Sequence, residues 1–255
     1  MRSVHIVIQG KGGVGKTFIS SILAQYYLEK NVDPVHCFDT DPVNRSFSQI
    51  AALKVELINI LNKKNEIDAR QFDPLVEKLI SVDGIRIIDN GSTSFIPLLA
   101  YMNENGVVDF LREAGTTVYC HVPLQGGQAF GDTILALAKV LKSLKTQTVV
   151  WLNNFQGQVV DNVQGFQDMG VYKSNKALIC GIVDIPDRSK DTFGMDIRSM
   201  TAQNLTFDEV TQSDKFFIMS KQRILMFKRG IYEQLDAINF GEKNESQIVE
   251  KERQA

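Results

Sequence analysis

The sequence predicts an α/β protein: a three-layer, mostly parallel, twisted sheet with helices on both faces. Three observations carry this. Short apolar runs alternate with helix-periodic stretches along most of the chain. Those runs are apolar at successive positions, as in strands buried on both faces. A glycine-rich phosphate loop lies between the first run and the first helix pattern.

Val4–Gln9 is the first run and suits a buried strand. Gly10-Lys11-Gly12-Gly13-Val14-Gly15-Lys16-Thr17 follows, a complete G-x-x-x-x-G-K-T motif. Its glycines let the backbone curl round an oligophosphate with the N–H groups turned inward. The helix that starts there points its positive end at the same anion. Lys16 can reach β- and γ-phosphates, and the Thr17 hydroxyl can ligate Mg²⁺. Ile19, Ile22, Leu23 and Tyr26 give that helix one apolar face. A plain Gly-rich connector is the alternative. The full motif in a strand–loop–helix context makes it the weaker reading.

Asn31 and Asp33-Pro34 form a turn, and Pro34–Phe38 is a second strand ending in Asp39-Thr40-Asp41-Pro42. Carboxylates at a strand end sit where open α/β sheets bind ligands. Asp41 also reads as an N-cap, with Pro42 opening a helix. Val55–Leu61 is an expected edge strand, Asn62–Glu66 a turn, and Asp68–Ser81 a helix with core positions Phe72, Leu75, Val76 and Leu79. Ile85–Ile88 is a buried strand closed by Asp89, the expected second carboxylate on the Mg²⁺ side, with a helix cap as the bland alternative. Asn90–Ser94 is then a polar loop beside the γ-phosphate.

Phe95–Glu113 reads as two helical pieces broken at Asn105-Gly106, and Thr116–Val122 as a strand. The loop Gln125-Gly126-Gly127-Gln128 precedes a helix over Ala129–Ser143. Thr146–Leu152 is a strand ending in Asn153-Asn154. Val159–Met169 is weakly helical, and Leu178–Ile185 is the last strand. Beyond Arg188 a short capped helix is expected at Thr206–Ser213 and a long one at Phe216–Ile238. Ile224, Phe227, Ile231, Leu235 and Ile238 would dock the long helix on the body. Lys221, Lys228 and Arg229 cluster on an adjacent face, read first as a solvated face and second as a DNA or partner contact. The expected organisation is one domain over residues 1–240 and a charged tail over 241–255.

The 255 residues carry a net charge of −2, which excludes a globally basic nucleic-acid binder. Cys37, Cys120 and Cys180 lack C-x-x-C spacing and read as reduced core residues, and His5, His36 and His121 as core or near-core groups. The chain enters a strand almost at once, so no signal peptide is expected. No apolar stretch is long enough to span a bilayer, and the tail lacks the apolar face of a membrane-binding helix. The expected compartment is the cytoplasm, without membrane association.

Lys11-Gly12-Gly13-Val14-Gly15-Lys16-Thr17, Asp39-Thr40-Asp41-Pro42 and Ile87-Ile88-Asp89 together resemble the ParA/MinD family of deviant Walker A P-loop ATPases, over roughly residues 1–190. Further runs, among them IQGKGGVGKTFIS, DTDPVNRSF and SKQRILMFKRGIYEQLDA, are similar to the TraL-type conjugal transfer proteins of bacterial plasmids, over nearly the whole length. The resemblance implies a P-loop NTPase fold with C-terminal helices packed on the body, and slow, Mg²⁺-dependent ATP hydrolysis. It implies that Gly12, Gly13, Val14, Gly15, Lys16, Thr17 and Phe18 hold the nucleotide, with Asn153 reading the purine and Asn154 as the neighbouring candidate. Thr17, Asp39 and Asp89 would serve the metal. Lys11, Lys16 and Asp41 would be catalytic, Lys11 across a dimer interface and Asp41 by orienting water.

The output implied is an ATP-dependent homodimer acting with other plasmid transfer or partition proteins. A ParA-like partition ATPase acting on DNA is the alternative. Two departures bear on it: Val43 stands where the ParA pattern has glutamine, and Asn90-Gly91-Ser92 replaces a proline-rich loop.

Overall fold

The computed structural model describes residues 2–161 and 164–240. The expected charged tail, 241–255, lies outside the described residues. The frame is a seven-stranded sheet ordered β3-β2-β4-β1-β5-β6-β9, with every neighbouring pair parallel. Its strands are β1 (Ser3–Val7), β2 (Val35–Asp39), β3 (Glu56–Leu57), β4 (Ile85–Asp89), β5 (Thr117–Gln125), β6 (Gln147–Asn153) and β9 (Ile179–Ile185). A separate antiparallel hairpin pairs β7 (Val160–Asp161) with β8 (Gln164–Gly165).

Alternate side chains of each strand enter opposite layers. Val4, Ile6 and Ile8, with Val118, Cys120, Val122 and Leu124, face the core under α2 (Asp73–Ser81), α3 (Phe95–Glu104), α4 (Val107–Glu113) and α5 (Phe130–Leu144). Val7, Ile87, Val149 and Trp151 face the other core. There they meet α1 (Lys16–Lys30), α7 (Phe193–Ala202), α8 (Phe207–Gln212) and α9 (Ile218–Asp236). The predicted three layers and docked C-terminal helices are therefore present. Ile224, Phe227, Ile231, Leu235 and Ile238 are all buried. α8 carries a full capping box between Thr206 and Glu209.

Four local expectations differ. Asp41-Pro42 opens no helix: Asp41 Oδ1 accepts from the N–H groups of Val43 and Asn44. Arg45 then takes a left-handed φ of 45°, which a helix does not tolerate. The edge strand expected over 55–61 pairs only at Glu56–Leu57, because its one partner, β2, ends at Asp39.

The described residues of the 159–169 stretch form no α-helix. The β-branched Val160 enters the hairpin, a short 3₁₀ turn spans Phe166–Asp168, and a helix, α6 (Gly170–Asn175), begins only afterwards. α7 was not expected at all. The sheet order places β1 between β4 and β5, so the chain reverses direction across the sheet there. The crevice at the carboxyl ends of these strands is where such sheets hold ligands.

Candidate functional site

The 10–15 loop leaves β1 in that crevice and ends in α1, whose N-cap Gly15 has φ 97°. Only glycine takes this without strain. α1 starts at Lys16, so its first free N–H groups point into the concave side of the loop. The loop is braced from behind. Gln9 Oε1 accepts from the N–H of Gly10, and its amide donates to Pro123 O and Thr133 O. Asn153 Nδ2 donates to Val14 O at 3.0 Å.

At the foot of the loop, Thr17 Oγ1 donates to Asp89 Oδ2 at 2.6 Å, and Ser20 Oγ donates to Asp89 Oδ1 at 3.0 Å. Since the Thr17 proton goes to Asp89, the 2.9 Å contact between Thr17 and Ser46 must be donated by Ser46. Asp89 is buried, and burial pushes its carboxyl up to about 7. The Thr17 hydrogen bond opposes this, and the nearby Asp39 adds to it. A buried carboxylate beside a hydroxyl is an all-oxygen donor set of the kind a hard divalent cation takes, and such a cation would hold Asp89 ionised.

Asp39 is paired in register with Asp89 across β2 and β4. Its oxygens accept from the N–H groups of Asp41 and Ser48 at 2.9 and 3.0 Å. Asp39 thus ties down the 41–48 loop, and burial raises its pKa against those bonds. Asp41 sits where the loop crosses Gly91. A Cβ at position 91 would lie 2.7 Å from Asp41 Cγ, so the approach requires glycine. Thr40 Oγ1 and Ser94 Oγ both donate to Asn90 Oδ1, which fixes the 90–94 loop beside Asp41.

The two loop lysines part company. Lys16 is buried and donates to Lys11 O at 3.0 Å. Burial lowers its pKa, and Asp89 and Asp41 pull it back. Lys11 is exposed, and its amine reaches away to Asp132 Oδ2 on α5 at 2.7 Å. The structure therefore gathers Gly12–Thr17, Asp39, Asp41, Asp89 and Asn153 in one crevice, with the Lys11 amine outside it.

Beside the loop a cavity of about 320 Å³ opens between Gly13, Gly15, Phe18 and Asn153 on one side and Phe193, Ile197 and Arg198 on the other. Phe18 stacks on Phe227 at 5.9 Å, and Arg198 lies over the Phe155 ring. Asn153 lines this cavity. Asn154 faces elsewhere, donating to Asp184 at 2.6 Å. The α7 wall and Asp132 were not foreseen. Phe193, Ile197 and Met200 recur at helical spacing and were the available signal for α7.

A sequence model described as "CobQ/CobB/MinD/ParA nucleotide binding domain" matches residues 5–189. "Protein TraL" of Escherichia coli is 40% identical over 239 residues, covering 93% of this chain and 98% of that protein. Among solved structures, the septum site-determining protein MinD of Pyrococcus horikoshii, complexed with Mg-ADP, superposes with a TM-score of 0.53. The identity is 11%, covering 94% of this chain and 100% of that one. A chain of the Aquifex aeolicus MinC:MinD cell division protein complex gives 0.50 at 16% identity, covering 89% of this chain and 94% of that one. At these identities the two structures speak for the fold alone.

Proposed function

The chain belongs to the CobQ/CobB/MinD/ParA nucleotide-binding family, and on that premise we propose that it is a slow, Mg²⁺-dependent ATPase of the deviant Walker A kind. ATP assembles it into a homodimer and hydrolysis releases it. Residues 1–240 form one P-loop domain in this reading, working in the cytoplasm.

The observation that carries the proposal is the divergence of the two loop lysines: Lys16 lies inside its own loop, whereas Lys11 is exposed and turned outward. The loop N–H groups of Gly12–Phe18 and Lys16 hold the triphosphate, Lys16 exchanging the Lys11 carbonyl for phosphate oxygens. Thr17 and Asp89 would hold Mg²⁺, with Asp39 fixing the adjacent loop. When bound, the ion would supply charge neutralisation on the phosphate oxygens. Asp41, exposed enough to meet water and held against Gly91, orients the attacking water. A strand-end carboxylate is a weak base, so it orients more than it deprotonates. Lys11 leaves Asp132 and completes the partner's site, which makes turnover wait for dimerisation.

Asn153 contributes the base side of the cavity through its grip on Val14 O. The likeness to TraL supports service as an accessory ATPase in plasmid conjugal transfer, working with other plasmid-encoded proteins. The DNA-partition alternative needs a free basic surface. Lys228 bridges Glu29 and Asp208 at 2.5 and 3.3 Å and is spent within the protein, which weighs against that reading.

A phosphate-release assay tests the proposal. Release should require Mg²⁺, and its specific rate should rise with protein concentration. Release absent at all concentrations, or indifferent to Mg²⁺, would refute it.

A further inference from the structure

The most exposed large apolar side chains described in the molecule are not at the nucleotide site. The top two are consecutive, Phe217 at 85% and Ile218 at 81% exposure, at the start of α9, and the next residue, Met219, is exposed as well at 59%. Phe216, just before them, is buried and pins the turn to the core. Phe217 is the extended N-cap, and Ile218 and Met219 begin the helix. Lys215 and Lys221 flank the trio, and neither is ion-paired among the described residues.

The geometry points to a peripheral membrane contact: this tip inserts its three apolar side chains into an anionic lipid surface, with Lys215 and Lys221 meeting the headgroups. Two physical features select lipid over a protein face. Phe217 leaves extended backbone before the helix, and Ile218 and Met219 open the helix about 100° apart, so the three side chains do not share one face. A flat protein surface covers one or two of them. A fluid interface entered end-on covers all three. The lysines on either side complement negative headgroups. Asp214 is the nearby opposing charge, so the contact relies chiefly on apolar insertion and only secondarily on attraction. The sequence-based expectation of no membrane contact rested on bilayer-spanning length and on the tail, and neither concerns this turn. Phe227, on the cavity wall, lies about 13 Å further along the same helix, so the tip stands clear of the nucleotide site.

Flotation of the full chain with vesicles tests this, comparing pure phosphatidylcholine with phosphatidylcholine–phosphatidylglycerol mixtures. The protein should float with both and more strongly with the anionic vesicles. A variant carrying Phe217→Ser, Ile218→Ser and Met219→Ser should lose about tenfold or more of its partitioning on both. A Lys215→Gln, Lys221→Gln variant should lose only the preference for phosphatidylglycerol. Nucleotide binding and melting temperature report that the variants fold, and both should match the parent. Failure of the parent chain to float, or flotation unchanged in the triple variant, overturns the proposal. So does a parent that self-associates through this tip and loses that association, but no lipid binding, in the triple variant.

Discussion

The Lys11 amine lies 2.7 Å from Asp132 Oδ2, whereas the Lys11 carbonyl holds the Lys16 amine at 3.0 Å. One residue therefore occupies two places: its backbone belongs to the phosphate loop and its charge belongs to α5. Reaching another subunit requires breaking an ion pair whose two members are both about half exposed, and such pairs contribute little to stability.

Asp132→Ala should therefore change unfolding free energy by no more than about 0.5 kcal/mol in denaturant melts. The same variant should lower the ATP concentration at which dimers form, because Lys11 is released in advance. A rightward shift in that concentration would show that Asp132 assists dimerisation and does not restrain Lys11.

Thr17→Ala removes the 2.6 Å hydrogen bond to Asp89 and leaves a buried carboxylate short of a donor. A loss of about 1.5–3 kcal/mol of stability is expected at about pH 8, where Asp89 is mostly ionised. Thr17→Ser keeps the hydroxyl and should recover most of it. Magnesium titrations of phosphate release should separate the two variants in the same order.

Gly91→Ala places a methyl group 2.7 Å from Asp41 Cγ and must push that side chain aside. Phosphate release should fall by about tenfold to a hundredfold through misplacement of the water-orienting group. Binding of a fluorescent ATP analogue should survive, since the phosphate loop is untouched. Equal losses in binding and release would place Gly91 in the binding step instead.

The buried pair His5 and His121 predicts acid sensitivity. The Trp151 indole can only donate, so His121 accepts at Nδ1 and donates from Nε2 to His5 Nδ1 at 2.9 Å. His5 then donates from Nε2 toward Ser3 Oγ and Tyr27 OH. Every step requires neutral rings. Burial holds both below the ordinary histidine range, His121 at about 3, and Arg86 adds to the effect on His5.

With folded values below unfolded ones, the unfolded chain binds more protons in between. Stability is then present above about pH 6.5 and is lost as pH falls toward 3. His121 alone should account for about 2 kcal/mol at pH 5. Asp39 and Asp89, raised by burial, act in the opposite direction, so the comparison is made against His121→Gln, which keeps the hydrogen bonds. Melting curves of that variant should lose less between pH 7 and pH 5 than those of the parent.

Much of this site was legible in the sequence. The phosphate loop, Asp39 and Asp89 are legible because each closes an apolar run, with Asp41 two residues past Asp39, and parallel sheets bring strand ends to one edge. What escaped notice depends on packing between distant segments. Asp132 is 121 residues from Lys11, and nothing in local periodicity pairs them. The α7 wall was hidden because its apolar positions are mixed with Gly194, Ser199 and Thr201, which blur a helical pattern. Lys228 looked like a free surface charge because Glu29 and Asp208 come from two other helices. Asp41 looked like a helix cap, and its role as a turn acceptor depends on the backbone at Arg45.

The central claim is that Lys11 completes a site on a second subunit. Light scattering with ATP and Mg²⁺ addresses it directly. The parent chain should pass from monomer to dimer on adding Mg-ATP and remain monomeric with Mg-ADP. Lys11→Ala should bind ATP with little change and stay monomeric. A dimer that forms without ATP and persists unchanged in Lys11→Ala would contradict the account.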